Sequence, residues 1–401
     1  MSSFFVKNKL ILSFITLNIT NGTAGGLLQI IVPLYAMSLN ATTVQIGMIR
    51  GVSGLGFLLL VIPAGFLVGH YGSKRLFVLG SLAVTFTTLA MVWARTPLFL
   101  TYLMGLQGFF RSLRITAMNS SFFRNLKTMG LEKAGWFKGS MSIGFTFIGP
   151  LMAGYLAKEA SFPLMFQIVV MVTLLPTLLI FFFHKDGHRL DRSGGLREII
   201  SFQVDDFKLL LRRKNLYLPL LAESVGAAFN SAFSTFIIVI VVRTLNLKPM
   251  FASTLLIIEG AVYILTVFFA GTLIYRMKEN NLYLLGFGVT SLGAIILALA
   301  ENLPIIALAT VIIGFGLGLL NMVTSSQMGA MEGDKGKIVG LFAASTGVGM
   351  SVGPFMGGFI GQYFGNRYIF AFFVPIFLLT GIMTKMHESR MMEVGADSNA
   401  A

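Results

Sequence analysis

The chain has no cysteine. That excludes a disulfide, a thiolate metal site and a cysteine nucleophile. Charge is also scarce: Asp, Glu, Lys and Arg make up 11% of the 401 residues, against about 25% in an average soluble domain. No Gly-x-x-x-x-Gly-Lys-Ser/Thr loop occurs, so ATP does not drive the protein directly. The four histidines, at 70, 184, 188 and 387, fall in or beside polar segments and lack metal-ligand spacing. No Ser/His/Asp constellation sits at membrane depth. The chain is therefore not read as an enzyme, and no cofactor, metal or catalytic residue is expected. What remains is 55% hydrophobic, with 44 glycines and a mean hydropathy of +0.82. That composition belongs to the membrane class, and the glycines suit close helix–helix contact in lipid.

A transmembrane helix needs about 20 mostly apolar residues. Twelve segments qualify: 10–38, 44–69, 75–94, 98–122, 134–157, 162–184, 216–243, 249–275, 281–300, 304–329, 336–363 and 366–386. They are too long and too continuously apolar for barrel strands. The first runs too long for a cleaved signal peptide and is read as a retained span. Twelve spans put both termini on one side. With the N-terminus inside, 22 lysines and arginines fall on the inner side and 5 in outer loops, while Arg50, Arg111 and Arg114 lie within spans. This positive-inside bias predicts a multi-pass protein of the cell (inner or plasma) membrane with cytoplasmic termini. It also explains the net charge of +14 by attraction to anionic headgroups, so no nucleic-acid partner is needed.

The longest polar interruption divides six spans from six. The expected organisation is an N-terminal six-helix bundle (1–185), a cytoplasmic linker with an amphipathic surface helix at 196–211 (186–215), and a C-terminal six-helix bundle with a short tail (216–401). The halves echo each other. The Gly-Pro pairs 149–150 and 353–354 are 204 apart, Leu39-Asn40 recurs as Leu245-Asn246 at 206, and Ser120-Ser121 recurs as Ser325-Ser326 at 205. A nearly constant offset in the same order argues for a duplicated six-helix unit.

This pattern resembles the major facilitator superfamily, over essentially the whole chain. GFLVGHYGSKR at 65–75 is similar to that family's loop signature Gly-x-Leu-Ala-Asp-Arg-x-Gly-Arg-Lys, with Gly65, Leu67, Gly72 and Lys74 matching. The acidic position is Gly69 here, the first basic one His70 and the second Ser73. GMSVGPFMGG at 349–358, with Gly353 and Pro354, matches a Gly-x-x-x-Gly-Pro-x-x-Gly-Gly pattern found on span 5 of many family exporters, while span 5 itself keeps Gly149-Pro150. In many members an arginine precedes the Gln-Gly of span 4 by three positions; here Met104 stands there, before Gln107-Gly108. The resemblance implies an all-α membrane protein of twelve transmembrane helices in two pseudo-symmetric six-helix bundles. It implies gating or structural roles for Gly65, Gly72, Lys74, Gly149, Pro150, Gly353 and Pro354. It also implies a central cavity lined by spans 1, 4, 7 and 10.

Ionisable groups inside spans are functional candidates by default. On span 4, Gln107, Arg111, Arg114, Met118 and Ser121 keep a 4-3-4-3 spacing on one helical face. Similar stripes run through Asn18, Asn21, Gly22, Gly25 and Gln29 on span 1, Glu223, Asn230 and Ser234 on span 7, and Gly314, Gly318, Asn321 and Ser325 on span 10. The expected substrate contacts are Arg111, Arg114, Gln107, Asn18, Asn21, Gln29, Asn230 and Asn321. Glu223 and Glu259 are expected to couple protons, because a carboxyl between burial and a nearby arginine can load and release one. Arg50, close to the outer end of span 2, is expected to snorkel. The resulting expectation is a monomeric secondary active transporter, an antiporter or symporter of small organic, anionic or amphipathic solutes, working by alternating access. The competing readings are proton-driven drug or metabolite efflux without anion preference, and a non-transporting sensor on the same fold.

Overall fold

The computed structural model describes residues 2–129, 139–183, 214–271, 276–331 and 335–384; the expected surface helix at 196–211 and the tail after 386 lie outside them. Twelve helices run through the described residues: α1 (Ser2–Ser38), α2 (Thr43–Tyr71), α3 (Ser73–Ala90), α4 (Pro97–Met129), α5 (Gly139–Glu159), α6 (Phe162–Phe183), α7 (Lys214–Val239), α8 (Pro249–Phe269), α9 (Glu279–Leu299), α10 (Leu303–Ala330), α11 (Lys335–Tyr363) and α12 (Tyr368–Thr384). Each coincides with one expected span. Ten are long and apolar enough to cross a membrane. α4 has the length, but its polar stripe dilutes its hydropathy, and α12 is shorter.

The helices start and stop for local reasons. Thr42 and Gln45 form a reciprocal capping box that starts α2. Gly72 separates α2 from α3 with φ of 88°, a conformation few other residues adopt. Asn40 and Asn246 end the hairpins after α1 and α7, and both are left-handed, at φ of 58° and 53°. Asparagine tolerates that region, so a sequence echo recurs as a backbone echo.

The packing repeats as well. Within the first six helices α1 packs on α4, α5 and α6, α2 on α4, and α3 on α4 and α6. Within the last six, each of those pairs recurs with six added to both members: α7 on α10, α11 and α12, α8 on α10, and α9 on α10 and α12. The seams between bundles obey the same rule, α2 against α11 and α8 against α5. This is the arrangement of two pseudo-symmetric bundles.

The seams close at one end only. Call the side on which Lys74, Arg75, Arg124, Arg276 and Lys278 lie the basic side. On α2, residues 47, 51, 54, 58, 65 and 69 share one face. Near the far side a methyl added at Gly54 would lie 2.5 Å from the Ser351 backbone nitrogen, and Gly51 faces the Phe355 ring. Toward the basic side, nothing among the described residues comes within 4 Å of Gly65 or Gly69 on α2, or of Gly340 on the facing stretch of α11. The α5–α8 seam does the same: Gly154 meets Ser253, while a methyl added at Gly139 or Gly271 would meet nothing within 4 Å among the described residues. The buried core agrees. Leu27, Ile31 and Ile46 join Phe233, Phe236 and Ile237 in one cluster at the far side. At mid-height Phe57 and Val61 of α2 still pack on Ala344 of α11; toward the basic side the core splits into an N-terminal cluster around Phe14, Leu17, Phe77 and Phe122 and a C-terminal one around Leu216, Ile338, Leu341 and Phe342. A cleft between the bundles therefore opens on the basic side.

Polar contacts across the halves reinforce the closed end. Arg243 Nη2, just past α7, donates to the Ala41 carbonyl at 2.7 Å. The Thr43 amide donates to Gln362 Oε1 at 3.1 Å, and the Thr43 hydroxyl donates to Asn366 Oδ1 at 3.3 Å.

Candidate functional site

Arg111 is the centre of the site. It projects from α4 with its guanidinium carbon 5.6 Å from the centroid of the Phe57 ring on α2. Such a stack stabilises a cation by about 0.5–2 kcal/mol. That offsets part of the roughly 2.5–3.5 kcal/mol that a mid-helix arginine costs on insertion. Arg111 stays half-buried, and its Nε has no hydrogen-bond partner among the described residues. No carboxylate among them pairs with it, since the one ion pair found joins Lys158 and Glu159 at 2.8 Å on the surface.

Arg114 differs, although its spacing predicts the same face. It is 3% exposed. Its backbone nitrogen lies 3.0 Å from where a methyl on Gly80 of α3 would sit. Its Nε and Nη1 also lack partners among the described residues. The close crossing of α3 over α4 turns it from the cleft into the N-terminal bundle. Gln107, at 3% exposed, is buried too.

The α1 stripe also divides. Asn21 Nδ2 donates to the Met118 sulfur at 3.1 Å, joining α1 to α4. Gly22 and Gly25 instead face α5, where Met141 and Phe145 fill the space beside them. Asn18, Asn21 and Gln29 are all buried, facing the bundle interior and not open space. On α10 the expected stripe is largely a packing seam: Gly314 and Gly318 lie against Glu259 and Thr266 of α8. Asn321 remains half-buried, and the Ser325 hydroxyl donates to its Oδ1 at 3.5 Å.

Across the cleft, Glu223 and Asn230 are half-buried on α7, with Gly226 between them facing open space. Thr346 of α11 donates its hydroxyl to Glu223 Oε1 at 2.7 Å. Glu259 on α8 is only 9% exposed, and no ion pair reaches it among the described residues. Tyr263, one turn along from Glu259, lies within electrostatic reach of both glutamates. Sequence reasoning passed over Phe57, Tyr263 and Thr346. Tyr263 carried a signal, its i+4 spacing from Glu259; the other two act across helices and carried none.

The motif residues lie around this centre. Gly149 packs against Gly26 of α1, and Gly353 against Ala228 of α7, so both Gly-Pro motifs mark tight crossings. They are not alike: the helix before Gly149-Pro150 widens into a π turn at Ile143–Ile148, while Pro354 lies within regular α11. A proline removes one helix bond and crowds the preceding turn, and a π turn is one way to relieve that. Gly65 faces the open end of the α2–α11 seam. Lys74 begins α3 beside Ser73, whose hydroxyl receives the Arg124 guanidinium of α4.

A model of the Major Facilitator Superfamily matches residues 14–331 and 224–391. The chain belongs to the major facilitator superfamily. An uncharacterised MFS-type transporter of Methanocaldococcus jannaschii is 22% identical over 375 residues, covering 91% of this chain and 94% of the relative. A homologue of the multi-drug resistance efflux pump PmrA, from Lactococcus lactis, is 26% identical over 351 residues, 83% of each protein. Among solved structures, the nucleoside transporter NupG superposes with a TM-score of 0.76 at 12% identity, over 95% of this chain and 98% of that one. At that identity it shares the fold with this chain. The protein is thus a multi-pass membrane transporter of the superfamily, and small-molecule substrates follow from that membership.

Proposed function

We propose that this transporter moves a small organic anion, or an amphipathic molecule with an anionic group, by alternating access coupled to protons. The observation that carries this reading is Arg111: a half-buried guanidinium, stacked on Phe57, without a carboxylate partner among the described residues and beside a cleft that opens on the basic side. An anionic group on the substrate supplies the missing partner, and the planar fork suits bidentate binding. Glu223 and Asn230 on α7, together with Asn321 on α10, form the opposite wall. Glu223 is half-buried and Glu259 more deeply buried, so in this reading Glu223 takes up the proton and Glu259 is its inner acceptor as the bundles rock.

The basic side is the cytoplasmic side in this reading, which places both termini in the cytoplasm of a cell-membrane protein and makes the described state inward-open. The chain acts as a monomer. In proteoliposomes, uptake of organic anions should depend on a pH gradient in the wild type. Arg111→Lys should lower it about tenfold or more, since one charge-assisted contact contributes about 1.5–3 kcal/mol. Wild-type flux in that variant would remove Arg111 from the site. Proton-driven efflux without anion preference is the second reading. It draws on the 26% identity to the efflux-pump homologue, and equal transport of cations and anions would favour it.

A further inference from the structure

The anion reading accounts for Arg111 but leaves Arg50 without a purpose. Arg50 sits in α2 two turns before Phe57, a spacing of seven that puts both on one helical face. That stretch of α2 lies against α4: Gly108 meets Ser53, and Gly105 meets Val52. Arg50 is half-buried, and its Nε is shut off from solvent without a hydrogen-bond partner among the described residues; Arg111 of α4 stacks on Phe57 of this same face.

Two like charges within reach of each other in a medium of low dielectric repel strongly. Protein carboxylates normally relieve such a pair. This bundle has almost none: the first 183 residues hold two acids, Glu132 and Glu159. Glu159 pairs with Lys158 at the surface, and no ion pair involves Arg50 or Arg111 among the described residues. A cationic pair without a counter-charge of its own is completed by a ligand that brings two.

We propose that Arg50 and Arg111 form a two-pronged receptor for an organic dianion, with the Phe57 ring, itself buried against Ala344, holding the Arg111 guanidinium in position. This rests on the anion reading above and narrows it: Arg111 alone would select an anion, whereas the pair selects a molecule with two separated anionic groups. Arg114, turned into the bundle, takes no part.

The test is competition between a diacid and its own monoamide, which differ by one charge at nearly constant shape. Three pairs span the charge spacing: succinate and succinamate, glutarate and glutaramate, terephthalate and terephthalamate. Binding is measured calorimetrically on the full chain in lipid nanodiscs at neutral pH. In the wild type at least one diacid should bind about tenfold tighter than its monoamide, the contribution of one charge-assisted contact. Arg50→Gln should bring that ratio to about one, while Arg50→Lys, which keeps the charge, should hold it well above one. A wild-type ratio near one in all three pairs overturns the two-pronged receptor and leaves the anion reading standing. Binding of none of the six overturns both. A ratio that survives Arg50→Gln assigns the second charge elsewhere and removes Arg50 from the site.

Discussion

The two bundles are built to one plan and filled in opposite ways. In the C-terminal bundle, Phe229 packs against Phe233, Phe370, Phe373 and Phe377, with ring centroids 5.1–6.4 Å apart. Its polar groups are matched: Tyr283 donates to Gln327 at 2.8 Å, and Gln327 donates to Glu279 at 2.7 Å. In the N-terminal bundle, Asn21, Arg50, Ser81, Arg111, Arg114 and Thr177 all hold buried polar atoms without partners among the described residues; Ser291 is the C-terminal counterpart. Unmatched polar atoms are costly in an apolar interior. The unmatched cations needed by the anion proposal therefore lie in the N-terminal half, while the close-packed rings lie in the C-terminal half.

If that division is right, the largest effect on stability comes from the C-terminal half. Phe229→Ala should lower unfolding stability by about 3–5 kcal/mol, since it removes the hub of a close-packed ring cluster. Thermal unfolding in detergent, followed by intrinsic fluorescence, reads this. A loss well under 1 kcal/mol would mean that lipid or neighbouring rings refill the space and that the cluster is not a structural hub.

The sharper test reverses the sign. Arg114 is a buried cation with two nitrogens unpartnered among the described residues; even a buried ion pair is often replaced by apolar side chains with a gain of up to about 1–4 kcal/mol, and a charge without a pair has no Coulomb attraction to lose. Arg114→Met should therefore raise the unfolding midpoint, whereas Arg111→Met, which loses the Phe57 stack, should raise it less. If Arg114→Met destabilises the protein, Arg114 has partners such as bound water, and the contrast between the halves weakens.

What the amino-acid order revealed divides along the same physical line. Spans were legible because hydropathy is a local property, and each expected span meets one helix. The polar face of span 4 divides in the structure: Arg111 is half-buried against Phe57, whereas Arg114 is buried within the N-terminal bundle, where α3 crosses close at Gly80. Glycine stripes misled most. Gly22, Gly25, Gly314 and Gly318 share faces with polar residues, yet they serve close crossings, and a glycine looks the same in sequence whether it lines a cavity or a seam. Met104, at the family's usual arginine position, is buried in the core at 1% exposure, and the arginine that stacks on Phe57 lies two turns further along α4.

The smallest effect concerns the end at which the halves meet. Arg243 is the cross-half donor to Ala41, and the carbonyl it reaches follows left-handed Asn40. A hydrogen bond of this kind between membrane helices is worth about 0.6 kcal/mol on average. Arg243→Ala should thus change the ratio of inward-open to outward-open molecules by about threefold. The absence of cysteine makes this measurable without background: Gly65→Cys and Gly340→Cys, on the two facing walls of the basic-side opening, can carry a pair of spin labels. In the wild type the long distance should dominate. In the Arg243→Ala background a shorter distance should gain population, because loosening the far-side seam lets the basic side close. An unchanged distribution would mean that the glycine contacts at 47, 51 and 54 hold the seam without help, and that the polar contacts above them are incidental to the state described.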